Sequence, residues 1–137
     1  MKTKKETLVF IVDDDPVYLK MLEIFLIKEI SDIRVKTFPT GEACLHNMHF
    51  EPDILILDYF LNSEFPSAWD GIKVIKKISW NYPYTNIIML SSQQSIETAM
   101  DIINEGAQEY IVKNEKAFLK IKNSIMSLVE IINERSE

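Results

Sequence analysis

The chain has 137 residues, of which 47% are hydrophobic and 26% charged, with only 3 Gly and 5 Pro. This length and composition are typical of one globular domain and exclude collagen-like, low-complexity and disordered chains. Acidic residues outnumber basic ones by 21 to 15, giving a formal net charge of -6, so we expect no direct binding to nucleic acid, whose phosphates require a basic surface.

The cysteine content and the N-terminus indicate where the protein works. The single cysteine, Cys44, has no partner for an intrachain disulfide, and one thiolate is too few for a multi-thiolate metal site. This fits a reducing compartment. The charged residues 1–6 are followed by only a short apolar run that three acidic residues end, which is neither a signal peptide nor a membrane span. We therefore expect a cytoplasmic protein that does not bind membranes.

Short apolar runs bounded by polar or turn residues recur along the chain, as is typical of buried strands. One further segment alternates apolar and charged residues, as a strand with one solvent-facing side does. The predicted strands are, in chain order, 8–12, 33–38, 54–57, 87–90 and 110–112.

Segments with helical periodicity lie between these strands. Asp15 stands before a proline, and we expect it to cap the first helix. Thr40, Ser95 and Asn114 are the predicted caps of later helices. The closing segment, 115 to about 134, carries apolar residues at three- and four-residue steps and is predicted to be an amphipathic helix.

Strands and helices alternate from the first predicted strand to the closing helix. This alternation favours parallel strands joined by right-handed crossovers, so we predict a doubly wound α/β fold with helices on both faces of the sheet. We expect a single domain over residues 1–137, with a core of about 7–135 and no output domain. In such folds the functional site lies at the carboxyl ends of the strands.

Polar residues follow several of the predicted strands at that edge. Asp13 and Asp14 follow the first strand, Asp58 the third, Ser91 the fourth and Lys113 the fifth. Crowded carboxylates repel one another and need a cation, and hard oxygen ligands suit Mg²⁺. A hydroxyl and an ammonium beside the metal could stabilise a phosphoryl group. The sequence therefore predicts an acidic magnesium pocket.

Four stretches that carry these residues resemble the receiver domain of two-component response regulators. They are FIVDDDP at 10–16, PDILILD at 52–58, IMLSS at 88–92 and GAQEYIVK at 106–113. The resemblance covers almost the whole chain and rests on four motifs in the right order. It implies a flavodoxin-like fold with five parallel strands in the order 2-1-3-4-5.

The resemblance also implies a role for each site residue. Asp58 would accept a phosphoryl group from the phosphohistidine of a histidine kinase or a phosphotransfer protein. Asp13 and Asp14 would hold Mg²⁺ together with Asp58 and the backbone carbonyl of Phe60. Ser91 and Lys113 would contact the phosphoryl oxygens. The protein would thus catalyse its own Mg²⁺-dependent phosphorylation, rather than act as a conventional enzyme.

The same resemblance implies a switch and a rate of dephosphorylation. The Ser91 hydroxyl would move inward on phosphorylation, open space for Tyr110 and shift the face formed by the fourth helix, fifth strand and last helix, which would bind a downstream protein. Phe60 and Gln93 occupy the two variable positions that tune attack by water on the acyl phosphate. Because Phe60 is bulky and apolar, we expect slow self-dephosphorylation.

The chain departs from the family pattern in two places. The segment 59–70 is longer than usual, with Asn62 where a proline is common, and Phe65 and Trp69 could cover the pocket, bind a partner or pack locally to anchor the loop. Lys113 precedes Asn114, where the family usually has proline after a cis bond, so this peptide bond could be trans or cis.

Other functions remain open at this point. A magnesium-dependent phosphatase of the haloacid dehalogenase type would also use an aspartyl phosphate, but it needs a longer chain and a further acidic pair. A stronger alternative is a receiver-like interaction scaffold that works without phosphorylation. The last helix is apolar beyond one stripe, which fits either deeper packing or a surface for a homodimer or another partner.

Overall fold

The structure is a computed structural model that describes residues 6–61, 68–92 and 95–136. Strands and helices alternate along the described chain, with one short 3-10 turn at Met48–Phe50. The strands are β1 (Thr7–Val12), β2 (Ile33–Phe38), β3 (Ile54–Asp58), β4 (Asn86–Ser91) and β5 (Glu109–Val112). The helices are α1 (Pro16–Glu29), α2 (Gly41–His46), α3 (Gly71–Asn81), α4 (Ile96–Asn104) and α5 (Ala117–Ser136).

All five strands form one parallel sheet in the order β2-β1-β3-β4-β5. This confirms the predicted doubly wound fold, and each predicted strand agrees with the structure to within one residue at either end. No helix in the described ranges is both long and apolar enough to cross a lipid bilayer. That residues 1–137 form one complete domain stays a prediction.

The sheet separates two hydrophobic clusters, because successive side chains of a strand point to opposite faces. Phe10 and Leu57 lie in the cluster that α2, α3 and α4 cover, whereas Ile11 and Ile56 lie in the one that α1 and α5 cover. The central strands are buried on both faces, which explains their continuous apolar runs. Cys44 is also fully buried.

Side-chain caps start most of the helices. Asp15, Thr40 and Ser95 each accept a hydrogen bond from a backbone N–H in the first turn of the following helix, as predicted. Asn114 accepts from the backbone N–H of Lys116 at 2.9 Å, in the turn before α5 begins. Asp70, which was not among the predicted caps, caps α3.

The closing helix α5 begins and ends about two residues later than predicted, and its apolar residues divide between the core and the surface. Ile121 and Ile125 of the predicted stripe are fully buried against the sheet, and of the apolar residues beyond that stripe Val129 packs partly against the same cluster. Leu119, Met126 and Ile131 are exposed by 43–56%. A homodimer through this helix stays a prediction.

Candidate functional site

Three carboxylates meet at the carboxyl edge of the sheet. Asp13 follows β1 and Asp58 ends β3, and these strands are neighbours with Val12 opposite Leu57, so their ends lie side by side. Each of Asp13, Asp14 and Asp58 offers an oxygen within 4.8 Å of the others. The three residues are only 1%, 7% and 3% exposed. Their burial makes them unlike an ordinary acidic surface turn.

Lys113 supplies the positive charge beside them. Its backbone N–H donates to the carbonyl of Ser91 at 2.8 Å, which extends the pairing of β5 with β4 to the residue after the strand. Its ammonium lies 2.6 Å from Oδ2 of Asp13 and 3.4 Å from Oδ1 of Asp58. The Lys113–Asn114 peptide bond is trans. The lysine therefore reaches both carboxylates from a trans backbone.

The pKa values of Asp58, Asp13 and Lys113 are all shifted, because charged groups lie close together in a buried site. Burial raises the pKa of Asp58 to about 7, with a further increase from the charge of Asp13, although Lys113 and the backbone N–H of Phe60 lower it. Burial also raises the pKa of Asp13, against hydrogen bonds from Lys113 and from the backbone of Asp15. Burial lowers the pKa of Lys113, but the two carboxylates outweigh this and raise it overall.

The donor set fits a divalent cation. The Lys113 ammonium pairs with two of the three buried carboxylates, and the pKa of Asp58 is still raised, first by burial and then by the charge of Asp13. Carboxylate oxygens are the ligands that Mg²⁺ prefers. Asp13, Asp14 and Asp58 are therefore the described residues that could hold Mg²⁺ at this edge.

A cavity of about 500 Å³ opens above these residues. Such a volume accommodates a metal ion and a phosphoryl group at the strand ends. Among the described residues, those that line it are Asp13, Asp14, Asp15, Asp58, Phe60, Ser92 and Lys113. Phe60 thus lies beside Asp58 in this cavity, and its roles as a backbone ligand and in the kinetics stay predictions.

The other predicted residues lie around the cavity or outside the described ranges. Ser91 is fully buried at the end of β4, whereas Ser92 is exposed and lines the cavity. Tyr110 is half-buried on β5 and packs against the cluster that α2, α3 and α4 cover. Gln93 lies outside the described residues, as do Asn62 and Phe65 of the enlarged segment 59–70.

Trp69 anchors the end of the enlarged segment. Its backbone N–H donates to Oε1 of Glu42 at 3.2 Å, and the ammonium of Lys73 lies 4.3 Å from the centre of its indole ring. The indole packs against the cluster that α2, α3 and α4 cover, and it does not line the cavity. Of the alternatives for Trp69, these contacts favour local packing.

The start of α3 packs directly against the backbone that follows Asp58. The backbone N–H of Gly71 donates to the carbonyl of Tyr59 at 2.9 Å. A Cβ at Gly71 would lie 2.7 Å from the carbonyl oxygen of Asp58 and from Cα of Tyr59, where no side chain fits. The glycine thus permits a close approach that holds the end of β3 in place.

The sequence did not single out Tyr18, which the structure places beside Lys113. The ammonium lies 4.3 Å from the centre of the Tyr18 ring. Tyr18 stands in the first turn of α1, three residues after the Asp15 cap. An aromatic residue one helical turn beyond a strand-end acid was the signal available in the sequence, but any core-facing aromatic gives the same pattern.

Comparison with known proteins gives a consistent result. The family model of the response regulator receiver domain matches residues 9–123. The chain is 27% identical over 106 residues to the probable C4-dicarboxylate response regulator DctR of Halalkalibacterium halodurans, covering 77% of this chain and 44% of that protein. It is 34% identical over 74 residues to the oxygen regulatory protein NreC of Staphylococcus haemolyticus, covering 54% of this chain and 32% of that one.

Solved structures agree with these matches. The BeF3-activated receiver domain of DrrB is similar with a TM-score of 0.78 and 25% identity, covering 90% of this chain and 97% of that one. The receiver domain of a LuxO repressor protein from Vibrio parahaemolyticus has a TM-score of 0.82 at 20% identity, with coverage of 96% and 95%, and shows the shared fold. The chain spans about half or less of the length of the curated relatives named above.

Proposed function

This chain belongs to the response regulator receiver domain family, and we propose that it accepts a phosphoryl group on Asp58 and thereby changes which proteins it binds. The observation that carries the proposal is the juxtaposition of three buried carboxylates with the Lys113 ammonium under one cavity. The donor would be a histidine kinase or a phosphotransfer protein. We expect the exchange to take place in the cytoplasm.

The proposed reaction is a displacement at phosphorus. A carboxylate oxygen of Asp58 attacks the phosphoryl group of the donor phosphohistidine, a P–O bond forms as the P–N bond breaks, and the imidazole leaves with the electron pair of the P–N bond. Mg²⁺ held by Asp13, Asp14, Asp58 and the carbonyl of Phe60 would neutralise charge on the phosphoryl oxygens. The nucleophile must be deprotonated, and Lys113 favours that form of Asp58.

Lys113 and Ser91 would bind the product. The ammonium already lies between Asp13 and Asp58, so a small movement would bring it to a phosphoryl oxygen. The hydroxyl of Ser91, at the buried end of β4, would turn toward the same group. In the proposed switch Tyr110 then moves, which shifts the equilibrium of the surface formed by α4, β5 and α5.

A protein donor has to cover the rim of the cavity, and α1 begins there. Asp15 lines the cavity and caps α1. From this rim an exposed apolar stripe runs along the helix, with side chains 54–65% exposed; it consists of Val17, Met21, Ile24 and Ile27. We propose that the donor protein packs on this α1 stripe, because a contiguous exposed apolar patch is typical of a surface that binds another protein.

Phe60 bears on the lifetime of the phosphorylated form. Its side chain lines the cavity next to Asp58, so it restricts the approach of a water molecule to the acyl phosphate. We expect slow self-dephosphorylation, and Phe60→Asn should accelerate it. Loss of the phosphoryl group from the wild type within seconds in the presence of Mg²⁺ would contradict this assignment.

Phosphorylation itself is tested by incubating the protein with Mg²⁺ and phosphoramidate and measuring the intact mass. We expect one phosphoryl adduct on the wild type, none after chelation of Mg²⁺ and none on Asp58→Asn. Asp101→Asn, which changes an exposed aspartate on α4, is the matched control and should react like the wild type. Failure with both phosphoramidate and a phosphohistidine donor would favour the phosphorylation-independent interaction scaffold.

A further inference from the structure

We propose that Tyr18 is a positioning residue whose aromatic ring holds the ammonium of Lys113 over Asp58. The proposal rests on the proposed function, because the positioned ammonium matters for phosphoryl transfer. It adds a residue of α1 to a site otherwise built from strand ends.

Three groups surround the ammonium of Lys113. It lies 2.6 Å from a carboxylate oxygen of Asp13, 3.4 Å from one of Asp58 and 4.3 Å from the centre of the Tyr18 ring. The lysine side chain is only 18% exposed. A cation over an aromatic face is attracted by the ring quadrupole, and the attraction grows when water is excluded. The ring thus adds an attractive contact that is not a hydrogen bond.

The ring of Tyr18, on α1, is held by a contact with α5. It packs edge-on against Phe118 of α5, with 5.4 Å between ring centres. Phe118 in turn contacts Phe25 of α1 at 5.3 Å. The backbone N–H of Tyr18 donates to the Asp15 cap at 3.3 Å. A ring packed against Phe118, on a residue whose backbone is held by the cap, can restrict the rotamers of a long lysine side chain.

The hydroxyl of Tyr18 separates the role of the ring from that of a hydrogen bond. It is buried and has no hydrogen-bond partner among the described residues. Burial raises the pKa of Tyr18 to about 12, with further contributions from the charges of Asp13 and Asp58, so the ring is neutral at ordinary pH. An unpaired buried hydroxyl is a cost rather than a contribution, and Tyr18→Phe therefore retains the useful part of the side chain.

The contact suits a lysine that must move during the reaction. On phosphorylation, the ammonium leaves Asp13 for a phosphoryl oxygen in the proposed mechanism. A hydrogen bond is lost over such a displacement because it depends steeply on distance and angle. Attraction to the face of a ring extends to about 6 Å from its centre. Tyr18 can therefore hold Lys113 near Asp58 both before and after transfer.

The test compares Tyr18→Phe with Tyr18→Leu, in the wild type and in Lys113→Ala, by the initial rate of phosphorylation with phosphoramidate. We expect Tyr18→Phe to stay within about twofold of the wild type and Tyr18→Leu to be about fivefold slower, the effect of a partly desolvated cation–ring contact. In Lys113→Ala the change to leucine should have no further effect. An equal slowing by leucine in both backgrounds, or none in the wild type, would overturn the proposal.

A second measurement does not depend on phosphorylation, and its main result comes from the wild type. Methylene protons of Lys113 near the ring face should show an upfield ring-current shift in the NMR spectrum of the wild type, retained in Tyr18→Phe. Absence of that shift would overturn the positioning role even if Asp58 is phosphorylated. A clear shift in a protein that accepts no phosphoryl group would instead contradict the proposed function and leave the contact established.

Discussion

Asp58 carries its charge in surroundings that oppose it, since burial and the carboxylate of Asp13 both favour the protonated form. A nucleophile needs the opposite form. For Asp58 as the proposed nucleophile, Lys113 supports the charged form only in part, and a bound divalent cation would supply the remaining compensation. Stability and reactivity are opposed at this residue, as is common at functional sites.

This opposition predicts an unusual dependence of stability on pH in EDTA. The pKa of Asp58 is about 7 in the folded protein against 3.8 for an ordinary aspartate, so the folded state binds the proton more tightly than the unfolded state does. This tighter binding of the proton stabilises the folded state fully below about pH 4, and the stabilisation is lost as the pH rises through about 7. Asp58→Asn should therefore exceed the wild type in stability at pH 8 by at least on the order of 1 kcal/mol, and by much less at pH 5.

Urea denaturation of both proteins at pH 5 and pH 8 measures this difference. The comparison reports Asp58 together with the neighbours whose charges it acts on, Asp13 and Lys113, while the other titrating groups are common to both chains. If the difference in free energy of unfolding were the same at the two pH values, the raised pKa of Asp58 would be refuted. Added Mg²⁺ should stabilise the wild type at pH 8, since a ligand that binds only the folded state adds stability.

Strand-end residues could be predicted from the sequence, and the tyrosine beside them could not. The acidic residues and the lysine of the site each end or directly follow an apolar run, and parallel strands bring such positions to one edge. Tyr18 reaches the site because the first turn of α1 lies against the start of α5. That contact depends on how two helices distant in sequence pack, which no local pattern contains.

At the scale of elements, the junction of β3 with α3 governs the position of Asp58. We predict that Gly71→Ala lowers stability by about 1–3 kcal/mol, as over-packing does, because the new Cβ would lie 2.7 Å from backbone atoms of Asp58 and Tyr59. Because the new Cβ would displace the backbone of Asp58, Gly71→Ala should also slow phosphorylation by phosphoramidate. Thermal denaturation and the initial rate of adduct formation measure the two effects.

Asp70→Ala is the matched control at the same helix start. It removes the cap, in which an Asp70 oxygen accepts from the N–H of Lys73 at 2.8 Å, and should cost about 1 kcal/mol of stability. It adds no atom near Asp58, so the rate of phosphorylation should stay unchanged. A Gly71→Ala protein with wild-type stability and rate would show that the close approach is not required.

The strands were predictable to within a residue because their apolar runs end at charged or turn residues. The start of α3 was harder, because the segment between Asp58 and Gly71 is enlarged and several of its residues could begin a helix. Ser91 and Ser92 show a similar limit. The sequence places both at the end of β4, but only the three-dimensional arrangement buries the first and brings the second to the cavity.

For the whole molecule, the proposed donor surface on α1 should be separable from the chemistry at Asp58. We predict that Met21→Ser slows phosphotransfer from a phosphohistidine protein by about tenfold, the loss expected for an apolar anchor, and leaves the rate with phosphoramidate unchanged. Met126→Ser truncates a comparably exposed methionine on α5, 48% against 55%, and should not affect either rate. Equal effects of both substitutions on phosphotransfer would contradict a donor surface on α1.

Topology was the part of the architecture that periodicity alone did not determine. Alternating strands and helices predict a parallel sheet, but several strand orders satisfy that pattern. The order β2-β1-β3-β4-β5 was implied by the resemblance of four motifs to the receiver family, and the structure confirms it. Placing β1 next to β3 is what brings Asp13 to Asp58.

Of the two tryptophans of the chain, Trp69 precedes α3 and Trp80 lies in its last turn, and they differ in their surroundings. Trp80 is 87% exposed, so iodide should quench its fluorescence readily. Trp69 is half-buried at the end of the segment that leaves Asp58, and its shorter-wavelength emission should persist in iodide. The protein thus contains its own optical probe, in which the unquenched light comes from the tryptophan connected to the site.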